Sequence, residues 1–374
     1  MISIELITDY SEFQNLRKEW NMLRENDPLE DMVFLTYEWF DCWWQAYSKK
    51  KCLFVLVARE NNLIVGIAPL MISRVFFRGL PIRLLSFIDN GNSGHNNFLL
   101  RSTRKNEILE KMKNFLLEKR SRWDIWELKR IPPESKNFRI LCDVLRSNSI
   151  LWAQKEGTCA PYLRFNSDWQ SFVNNLSSKR KKTIRNVENR IQKSGDCRIH
   201  KIIDFEEYKK IKHHLYSIAK DSWQEEKSNS LNTPENKEFF ARLSKAASSK
   251  SWLLIWILYL NEEPIAFEYH LKFGERVHGL RSSYKKTYQK FSPGAFLDYC
   301  IVKSLFENGE IKEYDMGGDA DFYKQKWTND YRKHITLHIF NRRLYSKLIH
   351  AHEHKIISYL RPLLRTQKKI NEKK

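Results

Sequence analysis

The chain is poor in residues that interrupt folded structure. Its 374 residues include only 12 Gly and 10 Pro, which leaves little room for low-complexity linkers. Its six cysteines are Cys42, Cys52, Cys142, Cys159, Cys197 and Cys300, and no two stand in CxxC spacing. Neither a zinc ribbon nor a redox pair is signalled, and scattered single cysteines suit a reducing compartment. The opening MISIELITDY lacks a basic stretch followed by an apolar run, so no secretory leader is expected. The longest apolar run, residues 252–260, is nine residues, well short of the ~20 a membrane-spanning helix needs. These absences lead us to expect a soluble, cytoplasmic protein.

What is present is aromatic and basic. The 12 Trp, 16 Tyr and 22 Phe supply material for packed cores and argue against disorder. The length suggests two domains. Against 45 Asp and Glu stand 65 Lys and Arg, a net charge of +20. Such a balance attracts nucleic acid, anionic lipid or a phosphorylated cofactor. A lysine-rich solvated surface accounts for much of the same excess.

Hydrophobic periodicity places strands at residues 2–8, 52–59, 63–73, 82–88 and 123–128, with helices over 9–25, 37–47 (capped by Thr36), 105–119 and 132–147. Residues 89–97, DNGNSGHNN, read as a plain polar loop. A strand is expected over 161–165, then a helix capped by Ser167, then the basic helix 177–193, then helices over 204–221 and 234–250. Residues 252–260 are apolar throughout, as for a strand buried on both faces. Residues 265–273 alternate with period two. A strand over 276–284, a helix over 296–306 and strands over 311–316 and 335–340 complete the pattern. The tail beyond about residue 361 reads as frayed.

One turn stands out. In Gln289-Lys290-Phe291-Ser292-Pro293-Gly294-Ala295, Pro293 suits a helix start and Gly294 permits close backbone approach. The first amides of such a helix can receive a pyrophosphate without a metal. An ordinary helix start would look the same.

The order of strands, turn, helix and strand resembles the acyl-CoA-binding half of the GNAT superfamily, whose phosphate loop Gln289, Ser292 and Gly294 match in part. Ser292 stands where that family has glycine. Tyr314-Asp315-Met316-Gly317-Gly318, with Tyr323-Lys324 and Trp327, resembles the signature of CelD-like acetyltransferases, relatives of the FemAB-like peptidyltransferases. The aromatic segment 34–47 is also similar to that group's opening. The resemblance implies an α/β (mixed α+β) fold of tandem GNAT-like domains, each a mostly antiparallel sheet flanked by helices. The expected divisions are 1–160 (a degenerate copy shaping the acceptor cleft), 161–345 (acyl-CoA binding and catalysis) and 346–374 (a helix and basic tail).

Acyl transfer needs a held donor, a deprotonated acceptor and oxyanion stabilisation. Glu268 and His270 are two apart in a strand and share a face, so either can serve as base; Asp315 at a strand end is the competing candidate. Solvated or turn-capping roles are open for all three. The resemblance adds Tyr284 and Tyr323 as proton donors to the leaving thiolate. It also adds Gln289, Lys290, Ser292, Pro293, Gly294 and Ala295 as the cofactor loop. Lys324, Trp327, Arg281, Tyr37 and Trp39 are the expected substrate contacts. His350, His352 and His354 have partial metal-ligand spacing but no HExxH pattern, so no metal is expected.

The implied activity is N-acyl transfer, with acetyl-CoA the expected co-substrate. The implied acceptor is an amino sugar or sugar nucleotide of surface polysaccharide synthesis. An anionic membrane surface is a further partner and tRNA a less favoured one; no stable protein partner is signalled. The alternatives are FemAB-like aminoacyl-tRNA-dependent peptidyl transfer and a non-catalytic polyanion-binding module.

Overall fold

The computed structural model describes residues 1–25, 32–101, 103–148, 150–222, 230–318 and 324–352. The N-terminal half opens with β1 (Ile2–Ile7), α1 (Tyr10–Asn15), α2 (Arg17–Glu25) and α3 (Tyr37–Tyr47). Then come β2 (Lys51–Leu53), β3 (Val55–Glu60), β4 (Leu63–Ala68), β5 (Leu70–Phe77), β6 (Leu80–Phe87) and β7 (Leu99–Leu100). It closes with α4 (Lys105–Glu118), β8 (Ile125–Ile131), α5 (Lys136–Ser147) and β9 (Trp152–Arg164). The C-terminal half starts with α6 (Trp169–Asn175), α7 (Ser178–Gln192), β10 (Cys197–Ile202), α8 (Phe205–Lys220) and α9 (Pro234–Ser249). The strands β11 (Leu253–Leu260), β12 (Glu263–Phe273) and β13 (Arg276–Tyr284) lead to α10 (Pro293–Asn308). β14 (Glu313–Asp315), β15 (Tyr331–Phe340) and α11 (Leu344–Ala351) follow.

One sheet runs through both halves, in the order β10-β11-β12-β13-β14-β9-β15-β8-β6-β5-β2; β1-β3-β4-β7 form a smaller sheet. The join is β9. Its C-terminal end pairs with β14, while the rest pairs with β15, which lies between β9 and β8. Most pairs are antiparallel. The exceptions are β6 with β8 and β13 with β14, at equivalent places in the two halves.

Local chemistry explains where the elements differ from expectation. The segment 9–25 is two helices broken at Leu16, and Asp9 caps the first by accepting from the amides of Ser11 and Glu12. The run 63–73 is divided at Pro69, which has no amide to donate to a ladder. The run 52–59 is likewise divided at Phe54, its parts joining different sheets. Asp168, not Ser167, caps α6. β10 lacked a strong periodic signal, and β9 extends far upstream of the expected residues 161–165.

The aromatic helix α3 is buried between the halves. Trp39 and Tyr47 each lie 5.3 Å, ring to ring, from Phe239 of α9. Rings of this size contribute on the order of 2–3 kcal/mol each by burial, and the edge-on contact of Trp39 with Phe239 fixes their orientation. The two halves therefore share a core, which holds the strands of the candidate site against the loop 89–97.

Candidate active site

β13 and β14 are parallel neighbours only over Arg276↔Glu313, Val277↔Tyr314 and His278↔Asp315. Beyond this point the chain turns through Gly317 and Gly318, both at positive φ. A Cβ on Gly317 would collide with the carbonyl of Gly279, so glycine is needed there. Side chains alternate along β14. Tyr314 projects toward α10, while Glu313 and Asp315 project toward the N-terminal half. One short strand thus supplies two polar clusters on opposite faces of the sheet.

The Asp315 cluster is built from both halves. Asp315 accepts from His95 Nε2 at 2.7 Å, Arg332 Nη1 at 3.3 Å and the Gly317 amide at 2.9 Å. His95 Nδ1 stands 2.7 Å from His334 Nε2, and His334 Nδ1 stands 3.0 Å from Thr158 Oγ1. An ionised carboxylate only accepts, so the chain has one consistent polarity: Thr158 to His334, His334 to His95, His95 to Asp315. Burial raises the Asp315 carboxyl, but His278 and His95 outweigh it and hold it well below the carboxylate range. Burial lowers His95, against the pull of Asp315, and lowers His334 to about 3, so both rings are neutral near pH 7.

His278 completes the cluster. It is 3% exposed, and neither ring nitrogen has a hydrogen-bond partner among the described residues. Its Nδ1 lies 3.8 Å from Asp315 Oδ2, beyond hydrogen-bond length, and Phe34 meets its ring edge-on at 5.1 Å. His278 and His95 both line a cavity of about 290 Å³ shared with Arg276 and Arg332. The polar loop 89–97 is therefore part of the site. Besides His95, it gives Asn92 to Arg281 (2.6 Å) and Ser93 to Trp39 (3.1 Å). Only the isolated His95 marked it in the sequence.

On the opposite face, Glu268 and His270 do share a side of β12, but they are buried against Tyr314. His270 Nε2 is 3.0 Å from the Tyr314 hydroxyl and 3.2 Å from Glu268 Oε2. Asp298 of α10 faces this group and accepts from the Trp327 indole. Burial first, then the charge of Glu268, pushes the Asp298 carboxyl up to about 8. Nothing in the sequence pattern singled out Asp298.

The expected cofactor loop forms a 3-10 turn, Lys286–Phe291, then Ser292 in the left-handed conformation, then α10 from Pro293. The Ser292 side chain does not cap α10, and the Phe296 amide donates to the Ser292 carbonyl, so among the described residues the Gly294 and Ala295 amides are left to a ligand or solvent. Gln289, Lys290 and Ala295 are exposed; Ser292 and Gly294 are half-buried. Tyr284 lies under the turn: a Cβ on Gly294 would meet its ring at 3.1 Å. Arg190 of α7 donates to the Lys290 carbonyl at 2.9 Å, drawing the basic helix onto the loop.

The remaining candidates are dispersed. Tyr37 is buried beside Phe13 and Trp20, and Trp39 is buried at the junction of the halves, so both act in packing. Arg281 joins the halves through Asn92. Lys324 is buried and donates to the Gly317 carbonyl at 2.6 Å. Trp327 is buried under the Arg180 guanidinium, 4.3 Å from its ring centroid. Tyr323 and His354 lie outside the described residues; His350 packs on Phe340. Among the described residues, no three His, Cys, Asp or Glu are grouped to hold a metal.

Residues 178–325 match the family described as Acetyltransferase (GNAT) domain. The C-terminal half is a GNAT domain. No curated protein is significantly similar to the chain in sequence. In three dimensions the chain is similar to L-PGS from Bacillus licheniformis, with 12% identity and a TM-score of 0.55 over 91% of this chain and 95% of that one. It is similar to FemX, with 11% identity and a TM-score of 0.56 over 92% and 98%. It is also similar to a tandem GNAT protein from the clavulanic acid biosynthesis pathway, with 8% identity and a TM-score of 0.52 over 91% and 98%. At these identities the likeness is one of fold, and the whole chain has the tandem GNAT fold. The parallel pair β13–β14 and the start of α10 both lie within the matched residues.

Proposed function

We propose that the protein transfers an acyl group, acetyl in the first instance, from acyl-CoA to an amino group. The observation that carries this is the N-terminus of α10, which opens Pro293-Gly294 without a cap from the Ser292 side chain, within the GNAT-matching segment. Backbone amides and the helix dipole there suit a pyrophosphate. The donor then extends along β13 toward the place where β13 and β14 part.

That place holds His278 and Asp315. The lone pairs of Asp315 are already engaged by His95, Arg332 and Gly317. Asp315 therefore serves as a positioning residue, and His278, whose ring nitrogens have no hydrogen-bond partner among the described residues and which lines a cavity, is the base for the acceptor ammonium. The amine attacks the thioester carbonyl, the carbon–sulfur bond breaks, and the proton lost by the new amide nitrogen goes to the departing thiolate, which leaves as free thiol. Tyr284, beneath the phosphate turn, belongs to the donor's path. Glu268 and His270 keep a supporting role on the opposite face. An amino sugar or sugar nucleotide is the acceptor class assigned, and the N-terminal half forms part of its cleft.

The test is release of free thiol from acetyl-CoA on adding a panel of amino sugars and nucleotide-linked amino sugars. Amine-dependent thiol release supports the assignment, and no release with any acyl-CoA removes it. The basic face of α7 favours a second reading, aminoacyl transfer from tRNA. Steeply salt-dependent tRNA binding without acyl-CoA binding would put that reading first.

A further inference from the structure

Helix α11 is apolar on two sides. Ile349 is fully buried and packs with Val75, Phe77 and Leu80 of the β5–β6 hairpin. Leu344 and Leu348 point outward and are 79% and 66% exposed. They are four residues apart and share one helix face. Tyr345 beside them donates to the Pro81 carbonyl at 2.7 Å, tying α11 to the hairpin. Pro81 is the register partner of Phe76, which is 78% exposed. A solvated helix would carry polar side chains on its outer face. Alternation puts Phe76 on the face of the hairpin opposite Val75 and Phe77, which pack with α11, so large apolar groups stand exposed on both sides of this hairpin.

Cations surround them. Arg342, Arg343 and Lys347 on and before α11 are exposed, as are Arg74 and Arg78 on the hairpin. Asp124 on this side is held by Arg83 at 2.6 Å and lies 4.0 Å from Arg343, while Arg342 donates to the Asn148 carbonyl at 2.7 Å. We propose that this end of the molecule docks on the surface of an anionic lipid bilayer. Leu344, Leu348 and Phe76 enter the boundary between headgroups and acyl chains, and the arginines and lysine meet the lipid phosphates. No described helix is long and apolar enough to cross a membrane, so the contact is with one face. Arg74 and Val75 also line a cavity of about 710 Å³, whose walls include Lys49, Lys50 and Thr158. Docking sets the mouth of this cavity beside the headgroups. The proposal stands independently of the acyl-transfer assignment.

The test is cosedimentation of the full chain with vesicles of phosphatidylcholine alone, or mixed with phosphatidylglycerol. Binding is expected only to the mixed vesicles, weakening as salt is raised. Leu344→Asp/Leu348→Asp should lower the bound fraction at least tenfold with an unchanged circular dichroism spectrum. Arg342→Gln/Arg343→Gln/Lys347→Gln should lower it while leaving the apolar residues in place. Equal binding to neutral vesicles, or full binding by the aspartate variant, overturns the proposal. So does a dimer, seen by sedimentation, that dissociates in the aspartate variant, because the face would then belong to a second copy.

Discussion

His95 Nε2 lies 2.7 Å from Asp315 Oδ2, joining a loop of the N-terminal half to a strand of the C-terminal half. Both groups are buried. Removing one partner strands the other without water to replace it. His95→Ala and Asp315→Asn should each cost about 3–5 kcal/mol of unfolding free energy, measured in urea. The double variant should cost less than the sum, because the pair shares one interaction.

The same cluster sets a pH dependence. His95 and His334 have native pKa values lowered from 6.5, His334 to about 3. Below pH 6.5 the unfolded chain binds more protons than the native one, so stability falls as pH falls toward 3. Asp315, lowered well below 3.8, extends the loss below that value. Urea midpoints should decline steadily from pH 7 to pH 4, and His334→Asn should flatten the decline.

Asp298 has the opposite sign. Its carboxyl is raised from 3.8 to about 8, so the native state keeps a proton that the unfolded chain releases. Its contribution to stability therefore diminishes as pH rises through this window and levels off above about 8. Asp298→Asn, which has no proton to lose, should gain stability relative to wild type between pH 5 and pH 8. A constant difference between the two unfolding curves would count against a protonated Asp298.

Gly294 tests the phosphate turn. An alanine Cβ meets Tyr284 at 3.1 Å, a small adjustment. A tryptophan fills the space a pyrophosphate needs. Gly294→Ala should bind acetyl-CoA within about tenfold of wild type, and Gly294→Trp at least 100-fold more weakly, or about 2.7 kcal/mol. Calorimetry reads both.

The C-terminal half was more legible in the sequence than the site. β12 and β13 announced themselves through period-two alternation and a glycine turn, and α10 through Pro293 and Gly294. The pairing of Glu268 with His270 followed from strand geometry. Long-range partners did not. His95 sits in a polar loop with no periodic signal, and only the fold brings it to Asp315. The same holds for His278, whose neighbours come from β14 and from Phe34 of the N-terminal half. The aromatic segment 34–47 drew attention to Tyr37 and Trp39 as ligand contacts. Burial, of Tyr37 against Phe13 and Trp20 and of Trp39 between the halves, makes them core residues, a distinction that local sequence does not carry. β15 was legible as a strand, but its place between β9 and β8 depends on pairing across most of the chain.

Acyl-CoA binding at the start of α10 is the central claim, and hydrogen exchange tests it residue by residue. With acetyl-CoA added, the amides of Gly294 and Ala295 should exchange more slowly, while those of α11 stay unchanged. Unchanged exchange at α10 under saturating acetyl-CoA would contradict the account.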